Sequence, residues 1–519
     1  MVEPVSGLGH RARAAEELGA RPFDLLVVGG GIIGAAVAAH AARAGLRVAL
    51  VDAGDFGGAT SSASSKLIHG GLRYLRLGDV RLVREAHHER RTLTKVVAPH
   101  LVHRIPFLLP LYAGGPYRPS FVQSGIILYS ALARSRLNWL VSPGRARAMV
   151  PSLRMEGLRS CALYADAWTN DARLCLENVR AAAEAGAVVL NGAEVVALRT
   201  SRGRVVGADV RVDGELVAVE SRAVVNAAGP WVDHVRRLEH PAAGTSVRLS
   251  KGAHALIPLD AEWTAALTIV QDEVRVTFAV PWYDMLLLGT TDTEYDGDPA
   301  GVAVAQADVT QILAEAAVAL AQPGLADPTR VRAAFAGLRV LPAGPGESVS
   351  ARRETVYSLG PGGMLSVAGG KLTTYRRIAL GVLERLRSDL GLHRVDTKPF
   401  PLPGAAGLHE ARLPVPLAPA TRAHLLHLYG GLAAEVLAPA RDDPALLEQL
   451  HPDGPDIAAQ VVYAASHEWA RNADDVLRRR TTLTYRGLSG PDVTQRVERL
   501  LATSASSPEA RRAGPRTTA

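Results

Sequence analysis

The chain has 519 residues, too many for one core, so two or three domains are expected. Apolar residues make up 48% and aromatics 5%, which excludes a disordered or fibrous chain and suits an α/β protein rich in alanine, valine and leucine. The net charge of +7 is modest, and acids interleave with bases along most of the chain, so it describes a solvated surface before a polyanion-binding face. The two cysteines, Cys161 and Cys175, form no C-x-x-C pair, which argues against a disulfide framework or a zinc site and for a reducing compartment. Met1–Arg21 lacks the apolar run of a signal peptide and reads as a short extension. The longest uncharged apolar run, Ser124–Ala133, is shorter than the ~18 residues of a bilayer span.

Asp24–Val28 is a continuous apolar run bounded by glycine, as expected of a buried parallel strand. Gly29, Gly31 and Gly34 follow as G-x-G-x-x-G, Ile32–Arg43 reads as an alanine-rich helix, and Leu46–Val51 is a second strand ending at Asp52. Thr60–Tyr74 (TSSASSKLIHGGLRY) is a polar loop beside that unit. Asp171–Ala185 is predicted helical and Val188–Val225 a run of short strands, ending in VVNAAGPW, Val224–Trp231. Val247–Pro258, Val274–Pro281 and Met285–Thr291 are predicted to form an antiparallel sheet of their own. Ala303–Ala321 and Tyr375–Leu390 read as helices, Pro399–Pro419 as a linker, Ala420–Thr503 as helical throughout, and Ser504–Ala519 as a disordered tail.

The fingerprint cradles a pyrophosphate at a helix N-terminus, and Asp52 accepts hydrogen bonds from ribose hydroxyls. An acid there disfavours a 2′-phosphate and with it NADP, which leaves NAD and FAD as the better readings. A nicotinamide enzyme continues with βαβ units after such an acid. This chain enters the Ser/Thr loop instead and returns to a cofactor strand only at NAAGPW, which favours FAD.

The segments GGGIIGAAVAAHAARAGLRVALVD, ATSSASSKLIHGGLRYL, VNAAGPW, KGAHALIP, LLGTTDTEYDGDP, GLRVLP and GGKLTTYR occur in this order. Together they resemble the FAD-dependent glycerol-3-phosphate dehydrogenases, within the wider group of amino-acid-oxidase-like flavoproteins. HEWARNADDVLRRRT, His467–Thr481, is similar to that family's C-terminal helical domain, and the resemblance covers about Phe23–Gly487. It implies an α/β fold with a Rossmann-like FAD-binding domain, an antiparallel-sheet substrate domain and a C-terminal helical domain. The implied division is an extension (1–22) and interleaved FAD-binding (about 23–110, 155–245 and 335–390) and substrate-binding (about 246–334) parts. A linker (399–419), the helical domain (420–503) and the tail (504–519) complete it.

The resemblance also implies oxidation of sn-glycerol 3-phosphate to dihydroxyacetone phosphate, with hydride passing from C2 to flavin N5 and electrons going on to a quinone. By the same carry-over Arg73, Tyr74, Arg339, Lys371 and Thr374 bind substrate, with Arg353 a weaker candidate, and His254, Arg339 and Lys371 are catalytic. His69 competes with His254 for the role of base. The implied cofactor residues are Gly29, Gly31, Gly34, Asp52, Thr60, Ser61, Ser62, Ser65, Lys66, His69, Gly70, Ala228, Gly229, Gly370, Lys371, Leu372 and Thr373. No metal is implied. Ile33 and Val340 depart from the family, which carries a polar residue and a proline at those positions.

A quinone partner requires a membrane surface. Ser124–Arg154 pairs apolar residues with Arg134, Arg136, Arg145, Arg147 and Arg154, a pattern that suits anionic lipid as well as a packed amphipathic helix. The expected location is therefore cytoplasmic and peripheral on the inner face of the cell membrane. An oxidase passing electrons to oxygen is the alternative, disfavoured by the lack of an obvious added mid-chain segment. No nucleic-acid motif is present. A homodimer is compatible with these motifs, which do not themselves select an oligomeric state.

Overall fold

β1 (Phe23–Val28) has no polar face because both of its faces are covered. Leu25 and Val27 enter one core with the helix Ile32–Arg43, whereas Leu26 and Val28 enter another with Val210 and Val224. The computed structural model describes residues 8–72, 79–132, 139–273, 275–343, 355–408 and 413–505. The remaining strands in these stretches are β2 (Val48–Val51), β3 (Leu67–Ile68), β4 (Val102–Tyr112), β5 (Leu140–Val141), β6 (Leu158–Thr169), β7 (Val188–Leu190), β8 (Ala193–Ser201) and β9 (Arg204–Val212). They continue with β10 (Glu215–Asn226), β11 (Val247–Pro258), β12 (Ala266–Val270), β13 (Val276–Trp282), β14 (Met285–Gly289), β15 (Thr293–Tyr295), β16 (Ala333–Pro342), β17 (Thr355–Leu359) and β18 (Leu365–Gly369).

The first sheet has the order β17-β18-β10-β1-β2-β7, parallel except at β17, with β9 and β8 added along the first half of β10. Helices Ile32–Arg43, Asp171–Glu184 and Tyr375–Arg385 cover one face of this sheet. The alanines of the first of these helices let it pack closely on Asp171–Glu184. The second sheet has the order β15-β11-β14-β13-β12-β4-β6-β3, with β16 on β11 and β5 on β6. It is antiparallel apart from the β4–β12 pair. The third core, around Leu428, Val436, Val461 and Val476, belongs to the C-terminal helices.

Several expectations change. β4, β6 and β16 lie in the second sheet, so residues 102–112, 158–169 and 333–342 pair with the substrate-side strands and not with the cofactor sheet. Pairing between distant strands leaves no local signature. The helix expected over Ala303–Ala321 is shorter, Gln306–Ala316. The C-terminal region is a set of short helices and turns, because Pro439, Pro444, Pro452 and Pro455 cannot sit inside a helix. The expected linker packs against the first domain: Leu402 is buried and its N–H donates to the Val97 carbonyl over 2.8 Å.

The N-terminal extension contains a helix, Leu8–Ala20, which packs on β7 and β10 through the fully buried Leu18. Its Arg11 pairs with Asp213 in the β9–β10 turn, and the same carboxylate accepts from Arg471 of the C-terminal domain. The last helix runs to Ala505, and the rest of the expected tail lies outside the described residues.

Candidate active site

The turn between β1 and the helix Ile32–Arg43 is built from glycines that nothing else could replace. Gly29 has φ +103°, and a Cβ there would lie 2.6 Å from the Ala227 carbonyl oxygen. A Cβ on Gly34 would lie 1.9 Å from the Gly29 oxygen, so this glycine lets the helix approach its own turn. Asp52, just past β2, accepts from the Gly30 N–H over 2.6 Å and from the Gly54 N–H over 2.8 Å. Burial raises its carboxyl to about 6, against the lowering effect of those two amides. Ser61 Oγ accepts from the Ile32 N–H over 2.9 Å and so ties the serine loop to the start of the helix.

The opposing wall is a two-stranded ladder. Ser250, Gly252 and His254 of β11 stand opposite Arg339, Gly337 and Phe335 of β16, and alternation puts all six on one face. His254 stacks on Phe335 with ring centroids 5.0 Å apart, and its Nε2 is 2.9 Å from Ser65 Oγ. Burial, then the positive charges of Arg339 and Lys66, lower this imidazole to about 3, so it is neutral. The paired glycines leave a gap in the ladder. A Cβ on Gly337 would lie 2.7 Å from the Ala63 oxygen, and one on Gly252 would lie 2.5 Å from an Arg339 nitrogen. The loop therefore seats in that gap, and Thr60 Oγ1 secures it by donating to the Leu338 carbonyl over 2.8 Å.

Arg339 is held on several sides. Its guanidinium donates to Thr290 Oγ1 over 2.9 Å and to the Thr291 carbonyl over 3.0 Å, and lies 3.2 Å from Asp292 Oδ1. These contacts orient the group before any ligand arrives.

A cleft of about 1010 Å³ runs between these walls. Among the expected site residues, Gly29, Gly31, Asp52, Thr60, Ser61, Ser65, His69, Ala228, Gly229, His254, Arg339, Gly370, Lys371, Leu372 and Thr373 line it. Gly34, Ser62, Lys66, Gly70 and Thr374 stand behind its wall. Lys66 is the clearest correction: its side chain is fully buried, its Nζ lies 2.5 Å from Asp171 Oδ1, and the rings of Trp282, Phe335 and Tyr485 surround it. The ammonium is taken up by a buried carboxylate, which leaves it no ligand role. Ser62 offers its carbonyl to Lys66 and Tyr485, and the Gly70 N–H donates to Asp166 over 2.9 Å. Thr374 is buried at the start of the helix Tyr375–Arg385, with its Oγ1 3.4 Å from the Lys371 carbonyl. Arg73, Tyr74 and Arg353 lie outside the described residues.

Sequence reading missed the contribution of the C-terminal domain. Asp474, Asp475 and Arg479 line the cleft beside Asp52 and Asp55. Arg479 and Arg480 are visible in HEWARNADDVLRRRT, but nothing local to them points toward Asp55, a carboxylate more than four hundred residues earlier.

Residues 24–376 match a family model described as FAD dependent oxidoreductase, and residues 395–512 match the C-terminal domain of alpha-glycerophosphate oxidase. The chain is 36% identical over 509 residues to glycerol-3-phosphate dehydrogenase 2 of Mycobacterium tuberculosis, covering 93% of this chain and 85% of the relative. It is 35% identical over 481 residues to the aerobic glycerol-3-phosphate dehydrogenase of Escherichia coli, covering 88% and 93%. The crystal structure of a glycerol-3-phosphate dehydrogenase from Bacillus halodurans complexed with FAD superimposes with a TM-score of 0.74 at 27% identity, covering 97% of this chain and 95% of that one.

The residues present fit FAD. The first turn of the helix at Ile32 faces the cleft across glycine, Asp52 stands at the end of β2, and the serine loop supplies hydroxyls along one side. His254 lines the cleft, and its buried Nδ1 has no hydrogen-bond partner among the described residues, so it is open to a ligand there. The glycine cradle, the cleft beside it and the matches over both parts of the chain agree, and the chain belongs to the FAD-dependent glycerol-3-phosphate dehydrogenase family.

Proposed function

We propose that this enzyme oxidises sn-glycerol 3-phosphate to dihydroxyacetone phosphate and passes the electrons to a quinone. The observation that carries the reading is the convergence of a dinucleotide cradle with Arg339, Lys371 and His254 in one cleft. The names of the related dehydrogenases support the substrate. Bound FAD supplies the acceptor for the hydride that leaves substrate C2.

The chain's own residues bind, orient and accept a proton. Arg339 offers a planar fork to a phosphate dianion, already oriented by Thr290 and Thr291. Asp292 offsets part of its charge, which keeps the arginine from being an isolated buried cation. Lys371 adds a second cation to the cleft, and Arg73 and Tyr74 complete the proposed substrate contacts. His254 is neutral and so able to accept the proton of the C2 hydroxyl, but burial holds it near 3 and makes it a weak base before ligands bind. A dianion on Arg339 would offset part of the smaller, coulombic lowering of this imidazole, while the larger effect of burial would remain.

Delivery to a quinone calls for docking on a membrane. No helix among the described residues is long and apolar enough to cross one. Phe121 and Leu128 of the helix Pro119–Leu132 are 62% and 47% exposed, and Trp139 is 57% exposed. Arg145, Arg147 and Arg154 of the expected basic set are exposed, as is Arg118, whereas Arg134 and Arg136 lie outside the described residues. Exposed apolar side chains beside exposed arginines suit an anionic lipid surface. Flotation with anionic vesicles at low salt tests this, and the absence of binding would rule it out.

The central test is anaerobic. Glycerol 3-phosphate should bleach the flavin absorbance, and a quinone should restore it faster than oxygen does. A bound flavin that stays yellow would defeat the substrate assignment. Fast reoxidation by oxygen with stoichiometric peroxide would replace the dehydrogenase with an oxidase.

A further inference from the structure

The C-terminal domain holds the loop that walls the cofactor cleft at two points. Arg479 and Arg480 both pair with Asp55, which lies three residues past Asp52. Tyr485 donates to the Ser62 carbonyl over 3.0 Å, so this domain holds the Asp55–Lys66 loop near both of its ends. The two arginines are adjacent in sequence, and in an ordinary helix they would diverge. They lie in the π-helical turn Val476–Arg480, whose wider path lets both reach one carboxylate.

Their positions differ. Arg480 is fully buried; its second Asp55 contact is 2.8 Å, and it donates to the Glu468 carbonyl over 2.5 Å. Arg479 is 7% exposed, bridges Asp55 to Asp475 over 2.9 Å, and lines the cleft. Asp475 is fixed in turn, since its Oδ2 accepts from the Arg471 N–H over 2.8 Å. Burial pushes the Asp55 carboxyl up, but the two arginines outweigh it and hold it below the usual carboxylate range. The same stretch of cleft is lined by Asp52 and by Ala193, Glu194 and Val195, which marks it as the adenosine end.

We propose that the C-terminal domain is part of the FAD site, with Arg479 walling its adenosine end. Cofactor retention then depends on docking of this domain, and bound FAD holds the domain in place by the same free energy. The proposal rests on the cofactor and not on the substrate, so an enzyme that binds FAD yet ignores glycerol 3-phosphate leaves it intact.

Two measurements test it. The dissociation constant of FAD is read from flavin fluorescence for the wild type, Arg479→Gln and Arg478→Gln. Arg478 is a control, because its side chain is 59% exposed, does not line the cleft and, among the described residues, forms an ion pair only with Asp474, which keeps Arg479 as a second partner. Arg479→Gln should weaken FAD binding about tenfold or more, the loss of a buried charge-assisted contact. Arg478→Gln should stay within about twofold. Equal effects of the two, or none from Arg479→Gln, would overturn the proposal. Hydrogen exchange on the unaltered chain, flavin-stripped and reloaded, guards against misfolding of the variant. FAD should slow exchange across residues 471–480, and unchanged exchange there would also overturn it.

Discussion

The two walls of the cleft are built on opposite principles. The cofactor wall, from Gly29 to Ser61, works by removing side chains so that backbone N–H groups can come close to the ligand. The substrate wall, β11 against β16, works by holding charged and aromatic side chains in fixed positions: Arg339 by Thr290 and Asp292, His254 by Phe335 and Ser65. Failure on the first wall is steric except at Asp52, and on the second electrostatic. A change in the first should therefore cost cofactor, and a change in the second should cost turnover with the cofactor still bound.

The largest effect is expected from Gly34→Val. Its Cβ would collide with the Gly29 carbonyl, a backbone atom that cannot turn aside. The protein should be recovered colourless or insoluble, and a yellow, stable variant would mean that the turn is softer than it looks. Arg339→Ala comes next. With a bidentate phosphate contact removed, kcat/KM for glycerol 3-phosphate should fall about a thousandfold while the flavin-to-protein ratio stays unchanged. Flavin loss in this variant would erase the distinction between the walls, and unchanged kinetics would remove Arg339 from the substrate site.

Acid should separate the walls without mutation. Asp52 titrates near 6, so its carboxylate is lost as pH falls through that value, whereas His254 stays neutral until about 3. Affinity for FAD should fall by about tenfold between pH 7 and pH 5, the cost of weakening charge-assisted ribose contacts. Titration of the flavin-stripped protein at several pH values checks this, and a flat profile would mean that Asp52 is not the ribose acceptor. The smallest effect is expected from Ser65→Ala, which frees His254 Nε2 while leaving the stack on Phe335. A fall in kcat of about tenfold or less, with an altered acid limb, fits a positioning role for Ser65.

The same contrast explains what the sequence disclosed. The cofactor wall is contiguous and depends on glycine spacing, so β1, the helix Ile32–Arg43 and Asp52 were legible directly. Arg339 and His254 were legible only through the resemblance of GLRVLP and KGAHALIP to a family, because no local rule pairs residue 254 with residue 335. Lys66 misled for a physical reason. The resemblance places it among the cofactor residues, but Asp171, at the head of a helix over a hundred residues later, takes its ammonium into the interior. Arg479 was invisible for the converse reason: its partner Asp55 is close to the fingerprint, but the chain covers most of its length between them.

Asp213 has a consequence for how the molecule would come apart. Arg11 near the start of the chain and Arg471 near its end close on this one carboxylate, and Arg173–Glu468 and Arg480–Asp55 join early and late segments again in the interior. The exposed pairs at Asp213 contribute little alone, but the buried ones are costly to break. A single proteolytic cut in a surface connection would therefore leave two fragments that migrate as one species on a native gel and separate only in denaturant. Cutting the backbone and dismantling the enzyme are, for this fold, different events.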